Sequence, residues 1–281
     1  MPSSSLATPV RQAIIREVRA IFNDTERGQK PVPRSDNALF TPADVTWRVH
    51  GDVTSMLVGG VASLLLQMLH PRVLAGVWDH SNFRSDMHGR LRRTARFIAL
   101  TTYGDADQAR AAIDRVRRIH DAVGGTLPDG TAYRASDPHL LAWVHATETT
   151  SFLDGWMRYA EPRMSRADQD RYFAEVARVG SALGVDPLPL TRTDADALIA
   201  RYRPELVVDA RTREVCRLLM SQRAPSFAAE PFQALTMQAG VDLLPDWARR
   251  MHGLSSKPLT TPLVRAGTTG IARTLRWAFA G

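Results

Sequence analysis

Residues 55–69 read SMLVGGVASLLLQML and form the longest apolar run of the chain. The run is shorter than the roughly 20 residues that a membrane-spanning helix needs, which favours a buried central helix. We predict this helix from about Val53 to His70, because Pro71 disfavours helical geometry in the residue before it. The sequence therefore predicts a soluble protein built around this helix, without a transmembrane segment.

Apolar residues at helical spacing continue on both sides of this run. We predict further helices at 7–22, 90–102, 106–123, 137–160, 165–183, 193–203, 209–220, 231–241 and 264–278. Two segments are polar and are predicted as loops, 23–44 and 78–89, and no long alternating β-branched run competes with the helices. The pattern predicts an all-α, single-domain, multi-helix globular bundle at 45–281, preceded at 1–44 by an N-terminal helix and an extended arm.

The charge of the chain does not indicate a nucleic-acid-binding protein. The 36 basic residues against 29 acidic ones give a formal net charge of +7, and all but Lys30 and Lys257 are arginines scattered along the sequence. A nucleic-acid binder concentrates its positive charge on one surface, and no such stripe or binding motif is present. The single cysteine, Cys216, excludes an internal disulfide, and the N-terminal residues lack a signal-peptide pattern. We expect a cytoplasmic protein.

The helix that follows Asp105 carries a histidine on its apolar face. Asp105 is a favourable N-cap, and His120 belongs to an inward stripe at helical spacing, together with Ala109, Ile113, Val116 and Val123. A histidine in such a stripe either packs with its ring nitrogens satisfied by neighbours or ligates a haem or a metal. These residues alone leave both roles open.

The helix at 90–102 presents polar groups on one face. Arg90 and Thr94 are one helical turn apart and share that face, and Arg93 lies beside it. Arg90 and Thr94 can therefore address the same pocket with a fixed positive charge and a hydroxyl. The alternative is an exposed arginine and a threonine bonded to its own helix.

Other histidines and acids have weaker patterns. His145 and Glu148 form a His-x-x-Glu pair of the kind found in di-iron bundles, but such sites need several inward carboxylates, and only Glu148 can be placed. A structural hydrogen-bonded pair is the favoured interpretation. Asp79 and His80 are weak candidates for a pocket acid or base. Surface or capping roles are expected at the helix ends and loop that carry His70, His80 and His88.

Several short strings occur along the chain in a recognisable order. They are WRVHGD at 47–52, LLLQMLHPRV at 64–73, WDHSNF at 78–83, GRLRRT at 89–94, the helix of His120, GTAYRASDP at 130–138 and WVH at 143–145. In their order and spacing the chain resembles the rubber-oxygenase family, which includes latex-clearing proteins and MpaB-like proteins, over roughly residues 45–250.

The resemblance implies an all-helical fold that holds haem b between helices, with a histidine as proximal ligand. By position this iron ligand corresponds to His120. The distal Arg-x-x-Lys-Thr motif of latex-clearing proteins corresponds to Arg90, Arg93 and Thr94, which implies catalytic roles for all three and cofactor contacts for Arg90 and Thr94. Arg93 stands where the family has an iron-binding lysine. Because a guanidinium offers no free lone pair, we expect an open sixth iron site.

The resemblance also implies the function. We expect residues 45–281 to form the catalytic domain of a haem-b-dependent oxygenase that uses dioxygen or peroxide, and an electron donor, to oxidise a small, largely apolar substrate. The family's distal glutamate has no glutamate counterpart upstream of GRLRRT, which argues against rubber cleavage. Two alternatives remain open, a non-haem di-iron oxygenase that uses His145 and Glu148, and a non-catalytic helical protein that binds haem or another ligand.

Overall fold

The computed structural model describes residues 4–23, 28–222, 224, 229–255 and 260–280. In these ranges the chain forms thirteen α-helices, which confirms the predicted all-α class. They are α1 Ser4–Phe22, α2 Val45–His50, α3 Val53–Gln67, α4 Pro71–His80, α5 Met87–Tyr103, α6 Ala106–Ala122, α7 Pro138–Tyr159, α8 Arg166–Leu183, α9 Arg192–Tyr202, α10 Ala210–Met220, α11 Glu230–Leu243, α12 Asp246–His252 and α13 Thr261–Phe279.

The apolar run forms α3, which crosses α7 at the centre of the molecule. Asp52 caps α3 by accepting a hydrogen bond from the Ser55 amide. A Cβ atom on Gly59 would lie 2.7 Å from the Ser151 carbonyl oxygen, and one on Gly155 would lie 2.7 Å from the Ser55 carbonyl oxygen. The two backbones are therefore in direct contact, and only glycine permits this approach.

Most predicted helices agree with the structure, and the predicted loop at 78–89 is confirmed at 81–86 but is wrong at both ends. The helix α4 begins with Pro71 in its first turn and continues to His80, while α5 already begins at Met87. The cause is local capping, because the Asp86 carboxylate accepts a hydrogen bond from the Gly89 amide at 2.8 Å. The polar composition of the segment concealed these two helix ends.

The structure adds elements that periodicity does not reveal. The helices α2 and α12 have six and seven residues, too few for an apolar stripe to repeat. A small antiparallel hairpin, β1 at Gly124–Thr126 and β2 at Ala132–Arg134, follows α6. In the predicted arm, residues 28–44 contain no helix and one isolated bridge, Ala38 to Asp105, and residues 24–27 lie outside the described part. The boundary at residue 44 stays a prediction.

The core lies around α3 and α7, and the C-terminal helix packs onto it. Trp143 and Tyr202 are among its largest fully buried side chains. The helix α13 contacts α11 and α3, and Arg276 reaches the buried Asp52 carboxylate at 2.7 Å. In the described ranges no single helix is both long and apolar enough to cross a membrane. The pair α3 and α4 is long and apolar enough when counted together, but the two helices are bent by 105° where they meet.

Candidate functional site

A cavity of about 390 Å³ lies between the central helix and α5. Its volume is within the range of about 300–1,000 Å³ that is usual for small-molecule sites. Most of its wall is apolar and comes from six helices, including Ile21, Phe22, Met56, Leu57, Val61, Leu64, Leu91, Ile98, Phe152, Leu219, Phe232 and Met237. The cavity therefore suits an apolar molecule or the flat apolar face of a cofactor.

A partly buried, hydrogen-bonded histidine lies at one side of this cavity. His50 Nδ1 lies 2.8 Å from the Thr102 hydroxyl, and His50 Nε2 lies 3.0 Å from the Tyr172 hydroxyl. Burial lowers the pKa of His50 to about 3, so the ring is neutral and donates through one nitrogen while it accepts through the other. Both nitrogens are thus engaged within the protein, and His50 serves to orient these two hydroxyls.

Glu148 is the carboxylate that lines the cavity. It comes from α7, and burial raises its pKa to about 7. Near neutral pH this carboxyl is present in both protonation states. It can therefore hold or release a proton at the cavity wall.

We expect Glu148→Gln to change how stability depends on pH. The pKa of Glu148 rises from its ordinary value of 4.5 to about 7 on folding, so the folded protein binds more protons between these two values and loses stability as pH rises through that range. The loss corresponds to about 3 kcal/mol at most. In acid the variant and the native protein should have the same free energy of unfolding. Above pH 7 the free energy of unfolding of the variant should be higher. Chemical unfolding at pH 5 and pH 8 measures the difference.

The matched control is Glu214→Gln, which makes the same chemical change on α10, where Glu214 pairs with Arg84 at the surface. Equal unfolding free energies of the native protein and Glu148→Gln at pH 8 would contradict the raised pKa of the Glu148 carboxyl.

Arg90 and Thr94 both line the cavity, as their shared helix face predicts. Burial, reinforced by the charge of Arg93, lowers the pKa of Arg90 to about 10, which leaves the guanidinium charged at neutral pH. It donates to the Ser81 hydroxyl at 3.3 Å. The Thr94 hydroxyl donates to the Arg90 carbonyl oxygen at 3.3 Å, which is the bond within its own helix that the sequence left as the alternative.

Arg93 lies elsewhere. Its side chain is 61% exposed, pairs with Asp86 at 3.4 Å, donates to the Asn82 side chain at 3.2 Å, and is not among the cavity-lining residues. The structure thus brings Arg90 and Thr94 to one cavity and leaves Arg93 in a surface ion pair.

His120 occupies the last turn of α6, a helix that packs against α5. Its Nδ1 atom is buried and has no hydrogen-bond partner, and burial lowers the pKa of the ring. His120 is not among the residues that line the cavity. The ring is therefore neutral with an unused nitrogen, as a ligand would be, on a helix next to the one that carries Arg90.

His145 and Glu148 do not meet at one site, although they share α7. His145 packs against α8, where a Cβ atom on Gly180 would lie 2.9 Å from its Cε1 atom. Burial lowers the pKa of His145 to about 4, and its Nε2 atom has no partner. Glu148 alone reaches the cavity, so nothing in the arrangement favours the di-iron alternative.

The other histidines lie outside the cavity, except His88. The side chain of His80 is exposed and contacts the Gly124 carbonyl oxygen at 3.0 Å, and Asp79 accepts from the Tyr133 hydroxyl at 2.7 Å. The capping role expected for His70 is wrong: its side chain makes no cap hydrogen bond and is 1% exposed. It lies instead beside His139 and Glu205.

Sequence reasoning missed His50 and Gln67 as cavity residues. Both fall inside quoted strings, WRVHGD and LLLQMLHPRV, which were the available signal. No local sequence pattern assigned either residue a role. The helix α2 is too short to show a period, and Gln67 is the last residue of an apolar helix.

Comparison with protein families gives one match. The model of the family described as "ER-bound oxygenase mpaB/B′/Rubber oxygenase, catalytic domain" matches residues 47–277, which is most of the chain. No curated protein and no solved structure matches the chain. The matched range contains the cavity wall from His50 to Met237 and the candidate ligand His120.

Proposed function

Since the chain belongs to the MpaB and rubber-oxygenase catalytic-domain family, we propose that it is a haem-b-dependent oxygenase that oxidises a small, largely apolar substrate with dioxygen or peroxide. The observation that carries the proposal is the cavity, whose apolar wall is interrupted by the charged Arg90 and by Glu148. An apolar wall binds an apolar substrate, and the few polar groups in it can stabilise charge and exchange protons.

His120 is the residue that we propose as the haem ligand. Its buried Nδ1 atom lacks a partner and its ring is neutral because burial lowers its pKa, as expected of an iron ligand, although the ring does not line the cavity. A bound haem b would supply the redox chemistry that activates the oxidant. The attachment is non-covalent, because Cys216 is the only cysteine and no Cys-x-x-Cys-His string exists.

The protein's own groups would position the reaction. Arg90 would provide a fixed positive charge at the cavity wall, where it could stabilise developing negative charge. Glu148 holds or releases a proton near neutral pH. The apolar wall would orient the substrate, and an external donor would supply any electrons that reduction of dioxygen requires beyond those taken from the substrate.

The absorption spectrum of the purified protein tests the cofactor directly. A Soret band supports the haem oxygenase, and its size against protein concentration gives the occupancy. A colourless protein that contains iron would overturn the haem assignment and restore the di-iron alternative. A haem protein without turnover would leave only a binding function.

Within a haem-loaded protein, Arg90→Ala is expected to slow turnover by about tenfold or more while haem content changes little, because the charge acts on the reacting atoms. Thr94→Val should slow turnover less, since its hydroxyl is already bonded to the helix. Arg93→Ala, which removes the same charge from a surface ion pair, should slow it less than Arg90→Ala.

Turnover per bound haem is the measurement. Arg110→Ala is the control, because Arg110 is exposed on α6 and pairs only with Asp107 among the described residues. If Arg90→Ala lost haem and turnover in equal proportion, Arg90 would be a structural residue.

A further inference from the structure

Three potential metal ligands converge outside the cavity. His70 precedes α4, His139 lies in the first turn of α7, and Glu205 ends a short turn after α9. One ligand atom from each residue lies within 4.8 Å of the other two. Segments far apart in sequence thus bring two imidazoles and one carboxylate to a single point.

We propose that His70, His139 and Glu205 form a binding site for a divalent transition-metal ion, with Zn²⁺ as its occupant. His70 Nε2 lies 3.3 Å from Glu205 Oε2, and His139 Nε2 lies 3.0 Å from Glu205 Oε1. In a tetrahedral zinc site with bonds of about 2.0–2.2 Å, neighbouring ligand atoms are about 3.3–3.5 Å apart. Only small side-chain movements separate the observed arrangement from that geometry.

The hydrogen bonds of His139 suit a cation, a metal ion or a proton, between its ring and Glu205. The Tyr202 hydroxyl has one proton and donates it to the His139 carbonyl oxygen at 2.6 Å. The contact of 3.2 Å between His139 Nδ1 and the same hydroxyl is therefore a hydrogen bond only if Nδ1 carries the ring proton. In a neutral ring the Nε2 lone pair then faces both carboxylate oxygens, at 3.0 Å each. These groups repel each other unless a cation lies between them, and a bound metal ion would remove the repulsion.

The surroundings suit a site of three protein ligands with an open position. Tyr202 orients the His139 ring through Nδ1, as groups around a metal site orient a histidine ligand. Arg72 contacts Glu205 Oε2 at 3.4 Å and Asp137 at 3.3 Å, which fixes the carboxylate opposite His139. The side chains of His139 and Glu205 are 42% and 37% exposed, so an ion can enter from solvent.

Calorimetric titration of the chelator-treated full-length chain with zinc chloride tests the site. We expect one equivalent to bind, with affinity reduced about tenfold or more in His139→Gln and in Glu205→Gln. These two positions are partly exposed, so both variants should fold. His80→Gln and Glu214→Gln are the matched controls, since both alter surface side chains outside the cluster, and each should bind zinc as the native chain does.

Three outcomes would overturn the proposal: no saturable binding by the native chain, unchanged affinity in both cluster variants, or an equal loss in His80→Gln. The first would mean that a proton, as an imidazolium, occupies the place between His139 and Glu205. Haem content is recorded on the same samples, so failure of this site and failure of the oxygenase proposal can be told apart.

Discussion

Replacing His120 by glycine is expected to reduce haem content about tenfold or more, which is the largest functional effect of any single substitution. Mutation of a residue that only orients a metal ligand lowers metal affinity about 10–100-fold, so loss of the ligand itself should lower it at least as much. The variant should still fold, because His120 lies at the end of α6 and is only partly buried. Haem content is read from the Soret band per mole of protein.

Added imidazole makes this experiment sharper. The glycine variant leaves room where the ring was, so free imidazole should restore the haem absorption if His120 supplies the ligand. His80→Gly is the control, because that histidine is exposed on α4 and bonds to a backbone carbonyl. An unchanged spectrum in His120→Gly would disprove the assignment and direct attention to His88, which lines the cavity.

Gly59→Ala is expected to cause the largest loss of stability. The added Cβ would lie 2.7 Å from the Ser151 carbonyl oxygen and 2.9 Å from Phe152 Cα. These are backbone atoms of α7, which cannot turn aside as a side chain can. The two helices must separate, and we expect the free energy of unfolding to fall by about 2–3 kcal/mol, the usual size of an overpacking penalty.

Gly60→Ala is a matched control in the next position of the same helix. A Cβ there meets only Phe152 Cε1, at 4.0 Å. Alanine is a better helix former than glycine, so this variant should gain up to about 1 kcal/mol. Urea unfolding followed by circular dichroism measures both variants. Equal stabilities of Gly59→Ala and Gly60→Ala would show that α3 and α7 do not touch through Gly59.

Helix positions could be predicted where an apolar stripe was long enough to repeat. The predicted helix at 165–183 agrees with α8, because Ser165 is a good N-cap and Gly184 ends the helix in the left-handed region, with φ of 89°. The same reasoning failed at 78–89, where the N-cap Asp86 was overlooked in a polar string. Short elements such as α2 offer no period to detect.

The candidate site was partly predictable. One helical turn separates Arg90 from Thr94, and their position on one side of α5 follows from that spacing. A spacing of three residues likewise predicted a pair of His145 and Glu148, yet they face different neighbours, α8 and the cavity. Helical spacing indicates a shared side of a helix, but what lies opposite each residue depends on helices distant in sequence.

By itself the sequence determined the helical class, the central apolar helix and the family, because these depend on periodicity and on the order of short strings within the chain. Only the tertiary structure decided that burial raises the pKa of Glu148 to about 7, that Arg93 stays in solvent, and that His70 meets His139 and Glu205. Solvation and contact are properties of the assembled fold. They arise when α3, α5, α7 and the turn after α9 pack together, and no local stretch of sequence contains them.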